Sequence, residues 1–195
     1  MVSIDKIKKY IDTNLSEKRR IHTYGVYDTA IMLAEKYGAD VKKAEIAALL
    51  HDIYRGVSDK VLNYHVKHLG LDEKYIDNKN LSHGKIAAAV LPRDFDIDDE
   101  DIINAVSFHT TGRSHMSLLE KIIYLADAIE PGRSYPGVEQ LREVAAKDLD
   151  KACLQSLKRT IDYVTSQGNY LDGDTEKAVG YFEELINKKE KSHDK

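Results

Sequence analysis

The chain has 195 residues, 42% of them hydrophobic and 32% charged, with a formal net charge of −4. That balance suits a globular domain of ordinary size and excludes a nucleic-acid-coating or membrane-surface protein, whose affinity would come from surplus Lys and Arg. Cys153 is the sole cysteine, so no intrachain disulfide can form, and a reducing, cytoplasmic setting is expected. The opening "MVSIDKIKKYIDTN" is charged and lacks the apolar stretch of a signal peptide, and no run reaches the roughly 18 apolar residues that a membrane span needs.

Helical periodicity dominates from the start. Ile4, Ile7 and Ile11 fall on one helical stripe. Glu17 to Tyr37 reads as a long helix ending before Gly38. Asp40 is placed to cap "VKKAEIAALLHDI", a helix expected to run to near Gly56, and Ser58 to cap "DKVLNYHVKHL", closed by Gly70. "SHGKIAAAVLP" predicts a short helix stopped around Pro92. The acidic opening of "DIDDEDIINAVSFHT" suits a helix N-terminus. Ser117 and Glu120 have capping-box spacing ahead of "KIIYLADAIE", which "PGRSYPG" then breaks. "LREVAAKDLDKACLQSLKRTIDYV" and "DTEKAVGYFEELINKK" supply two or three more helices, Cys153 filling a small apolar position, and "KKEKSHDK" reads as a frayed charged tail. Alternating strands are absent. The expected class is all-α: one domain over 1–195, with a core at about 17–130 and a C-terminal helical extension at about 138–189.

The histidines carry the chemistry. His22, His51, His83 and His109 lie at or near apolar helical segments; Asp52 follows His51, and Asp127 is hemmed by Ile123, Leu125, Ala126 and Ile129. A buried ionised carboxylate needs compensation. One cation would compensate one carboxylate; two would satisfy the set. Imidazole with carboxylate suits Fe, Mn, Zn or Co. His51 and Asp52, roughly 100° apart on a helix, can straddle a metal pair with Asp52 as the bridge, an arrangement that recurs in phosphate-ester hydrolysis. Taken singly, each imidazole would more often be a hydrogen-bonded core residue than a ligand, and Asp127 would be a partner of an Arg.

The order His, His-Asp, His, His, Asp resembles the HD superfamily of metal-dependent phosphohydrolases, whose name is this doublet. "LLHDI", "HGKIAA", "VSFHTTGR" and "MSLLEKIIYLADAIEPGR" are more closely similar to the YqeK family of HD-domain symmetrical diadenosine tetraphosphate hydrolases, over roughly residues 17 to 170. The resemblance implies an HD-domain helical bundle that cleaves diadenosine tetraphosphate into two ADP. It implies that His22, His51, Asp52 and Asp127 hold one metal, that Asp52 is the catalytic bridge, and that His83 and His109 hold the second. It implies iron, with Mn, Co or Zn left open by the donor types. The match also falls on Arg55 and Arg133, which become candidates for gripping phosphate; Arg55 lies three residues after Asp52 and four after His51. Thr110, Thr111 and Gly112 form a polar turn that can bind phosphate oxygens or cap a helix. Lys85 and Arg113 read as surface cations, His65, His68 and His115 as exposed, and His193 as part of the tail. The family's basic, asparagine-containing signature after a Thr is missing: in "LDGDTEKAVGYFEE", Thr175 and Ala178 fit and the Arg-Asn pair does not appear. The expected partner is a nucleotide substrate, with no nucleic acid or membrane, and a homodimer is allowed. The alternatives are another HD-type nucleotidase or phosphodiesterase, or a metal- and nucleotide-binding sensor without turnover.

Overall fold

The computed structural model describes residues 3–193; Asp194, Lys195 and the His193 side chain lie outside the described residues. These residues form ten α-helices and one 3-10 turn, with no strand among them: α1 (Ile4–Asn14), α2 (Glu17–Tyr37), α3 (Val41–Leu50), α4 (Asp59–His68), the turn Glu73–Tyr75, α5 (Lys79–Phe95), α6 (Glu100–Phe108), α7 (Leu118–Ile129), α8 (Val138–Ala145), α9 (Leu149–Ser166) and α10 (Gly173–His193). Among the described residues no helix is long and apolar enough to cross a membrane.

Local signals place the boundaries. Gly38, at φ +73°, closes α2, and the Asp40 carboxylate accepts from Lys43 N at the start of α3. The Ser117–Glu120 capping box forms in both directions. Three expectations need correction. α3 stops at Leu50 rather than near Gly56, because His51 Nδ1 donates to Ala48 O at 2.6 Å, the carbonyl that Asp52 N would take if the helix continued. α5 is longer than expected and contains Pro92: the proline is exposed in the last turns, while Leu91 and Phe95 hold that end in the core. The C-terminal segment is helical to His193 instead of frayed from Lys188.

Helix α3 is buried from Ile46 to Leu50 and packs between α2, α6 and α7, which explains its all-apolar run. Each Leu or Ile buried there contributes roughly 1.5–3 kcal/mol relative to exposure. The same buried cluster continues through Leu141, Cys153, Leu157 and Phe182, so α8, α9 and α10 share a core with the preceding helices. Lys121 of α7 and Lys189 of α10 meet across Asp150 of α9 at 2.7 and 2.5 Å. Burial pushes the Asp150 carboxyl up, but the two lysines outweigh it and hold the group below the usual range. A carboxyl that ionises more readily folded than unfolded adds stability at neutral pH, and that stability is lost as pH falls through the folded value. Asp150→Asn is therefore expected to lower Tm at neutral pH and to narrow the gap to wild type in acid. Calorimetry at the two pH values checks this, and an unchanged neutral Tm would dismiss the tie.

Candidate metal centre

Six predicted side chains come together: His22 from α2, His51 and Asp52 from the turns after α3, His83 from α5, His109 just past α6, and Asp127 near the end of α7. Asp52 is central and 4% exposed. Its Oδ1 lies 3.1 Å from His83 Nε2 and 3.8 Å from His109 Nε2. Its Oδ2 lies 3.7 Å from His22 Nε2 and 3.8 Å from His51 Nε2. Two groups of potential ligands result, His22–His51–Asp52 and Asp52–His83–His109, and Asp52 belongs to both. Asp127 Oδ1 stands beside the first, 3.0 Å from His22 Nε2 and 4.0 Å from His51 Nε2.

The far edge of every ring is pinned. Nδ1 of His51 donates to Ala48 O at 2.6 Å, that of His83 to Lys79 O at 2.9 Å, and that of His109 to Val106 O at 2.8 Å, while His22 Nδ1 meets Glu130 Oε1 at 3.1 Å. A carbonyl only accepts, so these Nδ1 atoms carry the proton and Nε2 turns a lone pair inward. Burial lowers the His51 imidazole, and burial together with His51 and His83 takes His109 down to about 3, so both rings are neutral near pH 7. Burial also pulls His22 down, yet Asp127 and Glu130 outweigh it and raise that ring. Burial works against the Asp52 and Asp127 carboxylates too. Both carboxyls are nevertheless held well below the usual range, Asp127 by the raised His22 ring and the Arg133 guanidinium beside it.

The donor set fits cations. His83 Nε2 and His109 Nε2, each a lone pair, stand 3.0 Å apart, and His51 Nε2 is buried without a hydrogen-bond partner. Lone pairs crowded around an ionised carboxylate are an arrangement that divalent ions resolve, and imidazole with carboxylate suits Fe, Mn, Co or Zn.

The predicted substrate residues scatter more. Arg133 ion-pairs with the Asp127 carboxylate and donates from Nε to Asp127 O at 2.8 Å. Arg55 sits 3.4 Å from His83 Nδ1, its guanidinium donating to Lys79 O at 3.0 Å. The Thr110 hydroxyl is 3.1 Å from His109 Nε2, and Thr111 is buried. Gly112 turns the other way: it is at φ +62°, and an added Cβ would meet Leu157 Cδ2 at 3.0 Å. Arg113 forms a two-pronged ion pair with Glu120 at 2.6 and 2.7 Å. Lys85 is not a surface cation; it is 9% exposed, its Nζ lying 3.4 Å from the Phe108 ring centre. His65 is half-buried against Tyr54, while His68 and His115 are exposed as expected.

Two residues escaped the sequence reading. Arg19 ion-pairs with Asp52 Oδ2 at 2.9 Å. Glu130 backs His22, and its carboxylate fills the space beside Gly25 and Gly132, where an added Cβ would fall 2.7 and 2.9 Å from Oε2. The signal was a charge one helical turn from a candidate ligand: Arg19 precedes His22 by three positions, and Glu130 follows Asp127 by three.

A family model described as HD domain matches residues 19–132, which contain all six of these side chains. The chain belongs to the HD domain family. Its relatives include the symmetrical bis(5'-nucleosyl)-tetraphosphatase of Bacillus subtilis, 41% identical over 85% of this chain and 89% of that protein. The protein of the same name from Staphylococcus aureus is 34% identical over 93% of this chain and 95% of its own. Among solved structures, an HD superfamily hydrolase from Clostridium acetobutylicum, described as involved in NAD metabolism, superposes with a TM-score of 0.89 at 44% identity, covering 95% of this chain and 99% of that one. In this HD domain the aspartate of the His51-Asp52 doublet is the residue shared by the two candidate ligand groups.

Proposed function

We propose that this HD domain is a metal-dependent hydrolase that cleaves diadenosine tetraphosphate symmetrically into two ADP. The observation that carries the reading is the set of three relatives bearing that enzyme's name at 34–41% identity over most of their length and of this chain.

In this reading His22, His51, Asp52 and Asp127 hold one ion, and Asp52, His83 and His109 the other; iron is the first choice, with Mn, Co or Zn compatible. The two ligand groups sharing Asp52 support a pair. Bound there, such ions acidify water and draw charge from phosphate oxygens. The chain's own share is positioning and charge. Arg133 and Arg19, already paired with Asp127 and Asp52, stand where phosphate oxygens would exchange with those carboxylates, and Arg55 adds a third guanidinium beside His83. A cavity of about 560 Å³ adjoins the second group at Thr110, next to His109; its wall includes Lys79, Thr110, Thr111, Thr160, Tyr163 and Asn169. That volume suits a small-molecule site, and here it takes the adenosine of one ADP half. The Thr175 hydroxyl, bonded to Thr111 O at 2.9 Å, braces the wall in the segment that departs from the family signature. The same proposal makes the chain one domain with a C-terminal extension, cytoplasmic, with a nucleotide substrate and no nucleic-acid or membrane partner, a homodimer being allowed.

Chromatography of early products tests it. ADP alone is expected from diadenosine tetraphosphate. Equal AMP and ATP would refute symmetrical cleavage, and tight binding without any product would turn the reading into a sensor.

A further inference from the structure

The turn between α7 and α8 carries both Glu130 and Arg133, the residues that back His22 and Asp127. Its first part, residues 129–133, is tied to α8 by the Arg142 side chain, while Arg159 of α9 holds its far end at Pro136 O. Arg142 of α8 donates from Nε to Ile129 O at 2.9 Å and from Nη2 to Glu130 O at 2.8 Å and Arg133 O at 3.0 Å, while its Nη1 pairs with Glu139. Three carbonyls of the turn that follows α7 thus converge on one guanidinium, that of Glu130 also accepting from Arg133 N at 2.9 Å. A planar fork with five donors in fixed directions can serve such a set; a lysine, a single point with a flexible stem, cannot.

We infer that Arg142 is a positioning residue of the metal centre, acting through the 129–133 turn on Glu130 and Arg133 and through them on His22 and Asp127. The path is continuous. Fixing the carbonyls of Ile129 and Glu130 fixes the Glu130 backbone, and Glu130 Oε1 then meets His22 Nδ1 at 3.1 Å. The room for that carboxylate is narrow, since Gly25 and Gly132 could not carry a Cβ without striking it. Fixing the carbonyl of Arg133 fixes the root of the side chain that orients Asp127. Groups that hold the outer nitrogen of a ligating imidazole set its tautomer and direction, and losing them costs roughly 10- to 100-fold in metal affinity. The C-terminal helices therefore complete a centre whose ligands all precede them.

The inference rests on the metal reading of the site, and cobalt titration of the metal-stripped full chain, followed by visible absorption, tests it apart from activity. Arg142→Met is expected to weaken Co²⁺ binding by about 10-fold or more. Arg142→Lys, which keeps the charge and the stem, is expected to remain weak, whereas guanidinium added to Arg142→Ala is expected to restore affinity. Lys121→Met serves as the control, since it removes a different tie, between α7 and α9, six residues before Asp127; it is expected to lower Tm and leave Co²⁺ affinity alone. Wild-type affinity in Arg142→Met and in Arg142→Lys would overturn the inference, as would an equal loss in Lys121→Met. If wild type itself gives no Co²⁺ band, the metal reading fails, and this inference with it.

Discussion

Asp52→Asn is expected to lose both metal and turnover, the latter by on the order of 10² or more. The two carboxylate oxygens face different ligand groups, Oδ1 toward His83 at 3.1 Å and Oδ2 toward His22 at 3.7 Å. An amide keeps one oxygen and turns the other into an NH₂, whose hydrogens point at imidazole lone pairs. One group loses its carboxylate ligand, and the centre loses the charge shared between its halves. The folded protein holds this carboxyl well below the usual range in spite of its burial, so the neutral amide is also expected to lower Tm, and Tm measured on the same variant separates loss of fold from loss of metal. Elemental analysis and turnover are measured on one sample. His68→Ala, on the exposed face of α4 where the ring stacks on Tyr64, is expected to change neither. Near-normal turnover in Asp52→Asn would remove Asp52 from the mechanism.

Gly84→Ala should cost about 10²-fold in turnover while leaving a folded protein. Gly84 lies one residue after His83, and the added methyl would fall 2.8 Å from His109 Cε1 and 3.2 Å from Val106 O. The ring or the helix must shift, and a displacement near 1 Å can cost about 10²-fold when reacting groups must be aligned. Stability changes less: overpacking costs roughly 1–3 kcal/mol, and replacing glycine in a helix returns about 1 kcal/mol. Gly180→Ala makes the same change in α10, where nothing lies within 4 Å of the new methyl, and is expected to keep full activity. Equal turnover in the two variants would show that the close approach of Gly84 to His109 is not needed.

Much of this was legible in the sequence because the signals were local. The Ile7 and Ile11 stripe, Gly38 and the Ser117–Glu120 box each act within a turn or two of helix. The six polar residues stood out as titratable groups in apolar surroundings. What was not legible depends on partners distant in sequence. Lys85 is buried because Phe108 of another helix offers its ring. Arg19 finds Asp52 across 33 positions, and Glu130 finds His22 across 108. The end of α3 was misplaced because a side chain, His51, took a backbone carbonyl, and residue type does not announce that choice in advance.

The placement of the ligands at helix ends has an electrostatic consequence. His51 follows the last residue of α3, His109 follows the last residue of α6, and Asp127 lies two residues before the end of α7. A helix C-terminus carries about half a negative charge from its aligned peptide dipoles, felt within the last turn. Three macrodipoles therefore point their negative ends at one small volume, adding to the charge of the carboxylates. Such a volume attracts cations and repels a bare polyphosphate, so under the proposed function substrate affinity is expected to rise with metal loading.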